Sequence, residues 1–157
     1  MKQTETAYIS ENGITLRLEL TAGLCTGLDF TDKVENQAQA SPAMTKAIAQ
    51  VKEYLAGRRI NFDLALNPAG TEFQKQVWNA LLQIPYGETR SYKDIAAWIG
   101  RPKAVRAVGG AIGKNPIAII IPCHRVIGAD GTLTGFAGGL EIKARLLELE
   151  SRERGRA

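Results

Sequence analysis

Residues 91 to 113 read SYKDIAAWIGRPKAVRAVGGAIG, and this stretch has the pattern of a helix-turn-helix unit. Ser91 and Asp94 have the spacing of a capping box, which predicts a short helix that ends at Gly100. After a short turn, a second helix is predicted from about residue 102 to about residue 113. Two short helices joined in this way form the supersecondary unit that often contacts a nucleic-acid groove.

The second predicted helix contains the run Gly109-Gly110-Ala111. Each glycine inside a helix costs about 1 kcal/mol relative to alanine. Side chains this small permit close backbone approach, either by a neighbouring helix or by a nucleic-acid groove. A helix that reads bases in the major groove carries Asn, Gln or Arg on this face. The run therefore disfavours sequence-specific recognition of DNA.

Charge is distributed unevenly along the 157 residues. Residues 1 to 67 carry 7 basic and 8 acidic side chains, whereas residues 68 to 157 carry 13 and 8. The segment from Arg90 to Arg125 holds seven basic residues against the single acid Asp94, a net charge of +6. Such a cluster is typical of a surface that binds a polyanion, although it also occurs on solvated faces. The break at residues 67 to 70, Asn-Pro-Ala-Gly, predicts domains at 1–67 and 68–157.

The first half is predicted to be a small α+β scaffold. Residues 14 to 20 and 24 to 30 alternate between apolar and polar side chains, which predicts a β-hairpin. A helix is predicted to begin at Pro42 and to end at Gly57. Residues 62 to 66 alternate again and predict one further strand.

The second half is predicted to begin with a helix that has a capping box at Thr71 and Gln74. The apolar run Ile117–Ile121 is predicted to be a core strand. Pro122 would end that strand because proline cannot donate a ladder hydrogen bond.

Residues 122 to 126 read Pro-Cys-His-Arg-Val, so one of two cysteines stands beside the only histidine. The thiolate is the nucleophilic form of cysteine, and neighbouring basic groups lower the pKa of a thiol. This context favours a reactive thiol at Cys123, while inert packing remains the alternative. Cys25 lies in an apolar strand pattern.

Other classes of protein are disfavoured by composition. Two cysteines and one histidine are too few for a structural zinc site, so no metal is expected. A disulfide framework is also not expected, and no apolar stretch approaches the ~20 residues that cross a bilayer. The N-terminus has no apolar signal region, which predicts a cytoplasmic protein.

Four motifs occur in order in the second half, and together they resemble a known family. They are residues 106–111 (RAVGGA), 115–116 (NP), 121–126 (IPCHRV) and 135–140 (GFAGGL). Their order and spacing are similar to those of the O6-alkylguanine-DNA alkyltransferases, also called methylated-DNA-protein-cysteine methyltransferases. The resemblance covers about 80 residues, from Phe73 to Glu150.

The resemblance implies roles for five residues. Cys123 matches the alkyl acceptor, His124 matches the group that takes its proton through a water molecule, and Glu150 matches the carboxylate that orients this imidazole. Asn115 matches the residue that braces the active-site turn. Tyr92 matches the tyrosine that helps to rotate the target nucleotide and protonates the departing guanine.

The resemblance also implies how DNA is held. Arg106 matches the arginine that fills the gap left in the duplex. Further residues expected to face DNA lie on the helix-turn-helix unit: Lys93, Arg101, Ala107, Gly109, Gly110 and Ala111. The base pocket is expected to be lined by Val126, Phe136, Ala137 and Gly138. Many family members have Tyr at position 136 and some have Ser at 137, so this chain lacks two hydroxyl contacts.

The implied fold is α+β, with an N-terminal ribonuclease-H-like sheet and a C-terminal winged-helix-like domain that carries the cysteine. The implied function is direct-reversal DNA repair. A monomer without a cofactor would bind double-stranded DNA largely independently of sequence, flip an alkylated guanine and accept its alkyl group once. Whether O4-alkylthymine is also a substrate stays open. The alternatives are a non-catalytic protein that binds alkylated DNA and a Cys-His hydrolase.

Overall fold

The computed structural model of the protein describes residues 3–35, 39–136 and 138–154. The chain divides into two compact units, Met1–Ala69 and Gly70–Ala157, two residues beyond the expected division. The first unit is a sheet with one helix and the second is mainly helical, so the predicted α+β class is confirmed. In the part of the chain that the structure describes, no helix is long and apolar enough to span a bilayer.

The first unit is an antiparallel sheet with strand order β1-β2-β3 and one helix. Its elements are β1 (Thr4–Glu11), β2 (Ile14–Thr21), β3 (Leu24–Phe30) and α1 (Pro42–Leu55). Every second residue of β2 is buried, as its alternating sequence predicts. Helix α1 packs on β1 and β2 and is capped by the side chain of Ser41. The predicted hairpin and helix are confirmed.

Two features of the first unit differ from prediction. Strand β1 was not predicted, although Asn12-Gly13 connects it to β2 with φ angles of 55° and 77°. Asn-Gly is a strong signal for a two-residue hairpin turn because both positions need positive φ. The strand predicted over residues 62 to 66 was wrong. Only Leu66 pairs, in a single parallel bridge to Cys25.

Within residues 70–136 and 138–154, the second unit contains four α-helices and a two-stranded parallel pair. Its elements are α2 (Glu72–Leu81), β4 (Arg90–Ser91), α3 (Tyr92–Trp98), α4 (Val105–Gly113), a 3-10 turn (Cys123–Arg125), β5 (Val126–Ile127) and α5 (Leu140–Arg154). Helices α2, α3 and α4 pack against one another, and β4 pairs with β5. Both predicted capping boxes, at Thr71 and at Ser91, are present. Helix α4 begins later than predicted, so the turn before it is longer.

The predicted core strand Ile117–Ile121 was wrong, because this apolar run forms a buried turn. The backbone N–H of Ile121 donates to the carbonyl of Ile117 at 3.0 Å, and Ile119 has a φ of 71°. A positive φ is rare for a β-branched residue. Asn115 closes the turn from both ends. Its side-chain amide donates to the carbonyl of Ile121 at 2.9 Å, and its side-chain oxygen accepts the N–H of Ile117 at 3.0 Å.

Candidate active site

The turn closed by Asn115 leads directly into the 3-10 turn that carries Cys123. Residues on both sides of the thiol are buried, whereas Cys123 itself is half-buried. The two hydrogen bonds of Asn115 thus hold the turn that directly precedes Cys123, which is the turn that Asn115 was expected to brace.

His124 lies behind Cys123 in a fully buried polar cluster. Its Nε2 lies 2.7 Å from Oε2 of Glu150, which comes from α5. Arg125 donates to the same carboxylate from Nε at 2.8 Å and from Nη2 at 2.9 Å. A third Arg125 hydrogen bond reaches the carbonyl of Ile84 at 2.7 Å. The structure thus brings His124 and Glu150 together, as expected, and adds Arg125 to the pair.

The cluster determines the protonation state of its members. Burial alone raises the pKa of Glu150, but the hydrogen bonds of His124 and Arg125 and the positive charge of Arg125 outweigh it and hold that pKa well below its usual range. Burial lowers the pKa of His124, and Arg125 and Lys143 lower it further against the opposing effect of Glu150. His124 is therefore neutral near pH 7. Its Nε2–H donates to Glu150, which leaves Nδ1 as the basic nitrogen.

The Cys123 thiol is held in its protonated form in the free protein. Burial raises the pKa of Cys123, while a hydrogen bond with Asn115 and the positive charge of Lys143 oppose this rise. For comparison, burial and, to a lesser degree, the nearby charge of Glu19 raise the pKa of Cys25 to about 11, against the opposing effect of a hydrogen bond to the backbone of Gly27. Cys25 is 1% exposed. The surroundings of the two thiols therefore differ in the sign of the neighbouring charge.

Lys143 is a residue that sequence reasoning missed. It is fully buried on α5, and its Nζ donates to the backbone carbonyl of Thr134 at 2.7 Å. Its ammonium group also lies 6.0 Å from the ring centre of Phe136. The sequence did contain a signal for this residue. Positions 143, 146 and 150 are separated by three and then four residues, so Lys143 lies on the same helix face as Leu146 and Glu150.

Tyr92 begins α3 and is half-buried. Its hydroxyl oxygen accepts a hydrogen bond from the side chain of Thr134 at 2.9 Å. The other side of the ring faces α4, where a Cβ added to Gly109 would lie 3.8 Å from a ring carbon. The tyrosine is thus placed between α4 and the loop before α5.

Most residues predicted to face DNA are exposed on the second unit. Arg106, Lys93, Arg101, Ala107 and Gly110 are exposed, and Gly109 is half-buried.

The exception is Ala111, for which the prediction was wrong. It is 4% exposed, and its carbonyl accepts the indole N–H of Trp78 at 2.8 Å, so it belongs to the contact between α2 and α4. By contrast, a Cβ on Gly110 would meet nothing within 4 Å, and one on Gly109 would make only ordinary contact. Packing within the described chain therefore does not require these two glycines.

The predicted pocket residues have mixed placements. Phe136 and Gly138 are half-buried in the segment before α5. Val126 is fully buried in β5, which does not agree with the expectation that it lines the base pocket. Ala137 lies outside the described residues. Among the residues that the structure describes, no group of three or more His, Cys, Asp or Glu side chains is arranged to hold a metal ion.

Comparison with known proteins gives matches to both units. Residues 72–152 match the model of the 6-O-methylguanine DNA methyltransferase DNA binding domain, and residues 17–68 match that of the ribonuclease-like domain of the same proteins. A methylated-DNA–protein-cysteine methyltransferase of Methanosarcina barkeri is 63% identical over 105 residues, which are 67% of this chain and 66% of that protein. The inducible enzyme of that name from Bacillus subtilis is 58% identical over 66% of this chain and 58% of its own length. These alignments span about two thirds or less of the curated relatives.

Solved structures match over nearly the whole chain. The Mycobacterium tuberculosis O6-methylguanine methyltransferase superposes with a TM-score of 0.86 at 45% identity, covering 96% of this chain and 94% of that one. A structure of the M. tuberculosis OGT in complex with DNA gives a TM-score of 0.83 at 47% identity, covering 96% and 93%. With the cysteine, histidine and glutamate assembled on the DNA-binding-domain unit, this chain belongs to the 6-O-methylguanine DNA methyltransferase family.

Proposed function

We propose that this protein repairs DNA by transferring an alkyl group from O6 of guanine to Cys123. The observation that carries the proposal is that the half-buried thiol of Cys123 stands next to a buried, neutral histidine, His124, whose ring is held by the carboxylate of Glu150. The relatives named as methylated-DNA–protein-cysteine methyltransferases support the same reaction. Because the acceptor is a free thiol, we further propose that the protein works in the reducing cytoplasm.

The chemistry balances as a displacement at the alkyl carbon. The Sγ atom of Cys123 forms the new carbon–sulfur bond while the bond from that carbon to O6 breaks. The thiol proton moves to Nδ1 of His124 through a water molecule. The departing guanine takes a proton on a ring nitrogen from the Tyr92 hydroxyl, so that O6 becomes an ordinary carbonyl. The Tyr92 phenolate and the His124 imidazolium that remain return to their neutral forms by proton exchange with water. The thioether product has no evident route back, and each chain reacts once without a cofactor.

The guanine must leave the duplex before it reaches Cys123, because O6 of a paired guanine lies inside the helix. Extruding a base costs a few kcal/mol. Arg106 is exposed on α4 and would fill the space that the base leaves. Gly109 and Gly110 let α4 approach a groove closely, because neither carries a side chain and neither is needed for internal packing.

Binding to undamaged DNA should depend on salt and little on sequence. The exposed basic side chains Lys93 and Arg101 contact phosphates, and Gly109 and Gly110 of α4 have no side chains that could read bases. We propose that the protein acts as a monomer on alkylated double-stranded DNA.

Intact-mass analysis after mixing the protein with a duplex containing O6-methylguanine tests the proposed function. We expect the mass to rise by one methyl group, and peptide mapping to locate it on Cys123. The matched variants are Cys123→Ser, which should gain no mass, and Cys25→Ser, which should react as the wild type does. A hydrolase or a purely DNA-binding protein would leave the mass of the wild-type chain unchanged.

A further inference from the structure

Thr134 contacts two groups of the site at once, although neither the motifs nor the comparisons single it out. Its side-chain hydroxyl donates to the hydroxyl oxygen of Tyr92 at 2.9 Å. Its backbone carbonyl accepts the Nζ of the buried Lys143 at 2.7 Å. One residue in the loop before α5 therefore connects the tyrosine of α3 with the lysine that lies near the Cys123 thiol.

The direction of the Thr134 hydrogen bond determines what the phenol is able to do. Because the phenol oxygen accepts this bond, its own proton remains available to a second acceptor. A hydrogen bond accepted by a hydroxyl also polarises it and strengthens the bond that it donates. The charge-assisted bond from Lys143 holds the Thr134 backbone in place. The Tyr92 ring, with Gly109 on its other side, is thereby held in one orientation.

We infer that Thr134 is a positioning residue for the transfer reaction, which holds the Tyr92 hydroxyl so that its proton points at the departing guanine. The inference rests on the proposed function. Thr134 itself does not touch the reacting atoms, and its effect passes through Tyr92.

The test uses Thr134→Val, which keeps the shape and the backbone carbonyl of the residue and removes the hydroxyl. We expect the single-turnover rate of methyl transfer at saturating duplex to fall about tenfold, as loss of one well-formed hydrogen bond predicts. DNA affinity should stay within about twofold, because no phosphate contact changes. Thr134→Ser restores the hydroxyl and should recover most of the rate.

Two further measurements separate positioning from a general effect on the fold. In a Tyr92→Phe background, Thr134→Val should cause no additional loss, because the hydroxyl that it orients is already absent. Thr132→Val is the matched control, since it removes a hydroxyl that donates to Asp130 in the same loop. This control should transfer methyl groups at the wild-type rate.

The outcomes distinguish the inference from the proposed function. If the wild-type protein accepts no methyl group, both are overturned. If the wild type reacts but Thr134→Val matches it, or if the losses from Thr134→Val and Tyr92→Phe are additive, the inference alone is overturned. Equal losses in Thr134→Ser and Thr134→Val would likewise contradict it, because the serine retains the hydroxyl.

Discussion

Replacing Glu150 by glutamine tests whether the buried cluster stabilises the second unit. The side chain accepts hydrogen bonds from Nε2 of His124 and from two nitrogens of Arg125, at 2.7 to 2.9 Å, and is 1% exposed. Glutamine has the same shape but no charge, so the guanidinium of Arg125 stays buried without a counterion. Breaking a buried ion pair in this way costs about 3–5 kcal/mol. Because glutamine still accepts one hydrogen bond, we expect a loss near the lower limit, about 3 kcal/mol.

Urea and thermal unfolding of Glu150→Gln give the measurement. For a chain of this size a loss of about 3 kcal/mol lowers Tm by about 6–12 °C. The pKa of Glu150 is lower in the folded than in the unfolded protein, so its contribution is fully present above about pH 4.3 and is lost as pH falls further. The difference in free energy of unfolding between Glu150→Gln and the wild type should therefore become smaller as the pH falls below about 4.3.

The control for this prediction is Glu148→Gln, which removes an exposed carboxylate from the same helix. We expect it to change stability by less than about 0.5 kcal/mol, as surface substitutions usually do. If Glu150→Gln lowers the free energy of unfolding by no more than Glu148→Gln does, the buried carboxylate does not stabilise the fold through its charge. The same conclusion follows if the loss does not depend on pH.

Three further predictions follow from the site. Burial lowers the pKa of His124, the only histidine, so the free energy of unfolding should keep its full value above about pH 6.5 and should fall by up to about 1.4 kcal/mol per pH unit below it. Urea unfolding at pH 7.5 and 5.5 measures this fall, and the dependence on pH should vanish in His124→Gln. Arg106→Ala should slow repair of duplex DNA at least about tenfold yet leave reaction with free O6-benzylguanine unchanged, because a free base has no stack to leave; equal losses on both substrates would remove the gap-filling role. Gly110→Ala should raise the free energy of unfolding by about 0.5–1 kcal/mol, since a Cβ meets nothing there, and should weaken DNA binding in fluorescence anisotropy; unchanged affinity would mean that α4 does not approach the groove closely.

Local signals in the sequence were enough to predict most helices. The capping boxes at Thr71 and Ser91 depend on contacts within four residues, and both are present. The Asn12-Gly13 turn carried an equally local signal, so the omission of β1 was an error of interpretation rather than a limit of the sequence.

Contacts between distant residues explain what the sequence did not predict. The run Ile117–Ile121 has strand-like composition, but the Asn115 side chain holds it as a turn, and apolar character alone does not distinguish a buried turn from a buried strand. The indole N–H of Trp78 donates to the carbonyl of Ala111, so Ala111, which was predicted to face DNA, lies in the contact between α2 and α4. Lys143 is buried only because α5 packs on the rest of the unit, so its effect on the site could not be read from the sequence alone.

Depth of burial does not identify the acceptor cysteine, because burial raises the pKa of both thiols. The charges around them separate the two. Alkyl transfer builds thiolate character on sulfur, and a nearby positive charge lowers the free energy of that state whereas a negative charge raises it. Cys123 faces the positive charge of Lys143 and a hydrogen bond from Asn115, while Cys25 faces the negative charge of Glu19. Cys123 also has the basic nitrogen of the adjacent His124 to receive its proton. The sign of the neighbouring charge, together with this proposed route for the proton, favours Cys123 over Cys25 as the proposed acceptor.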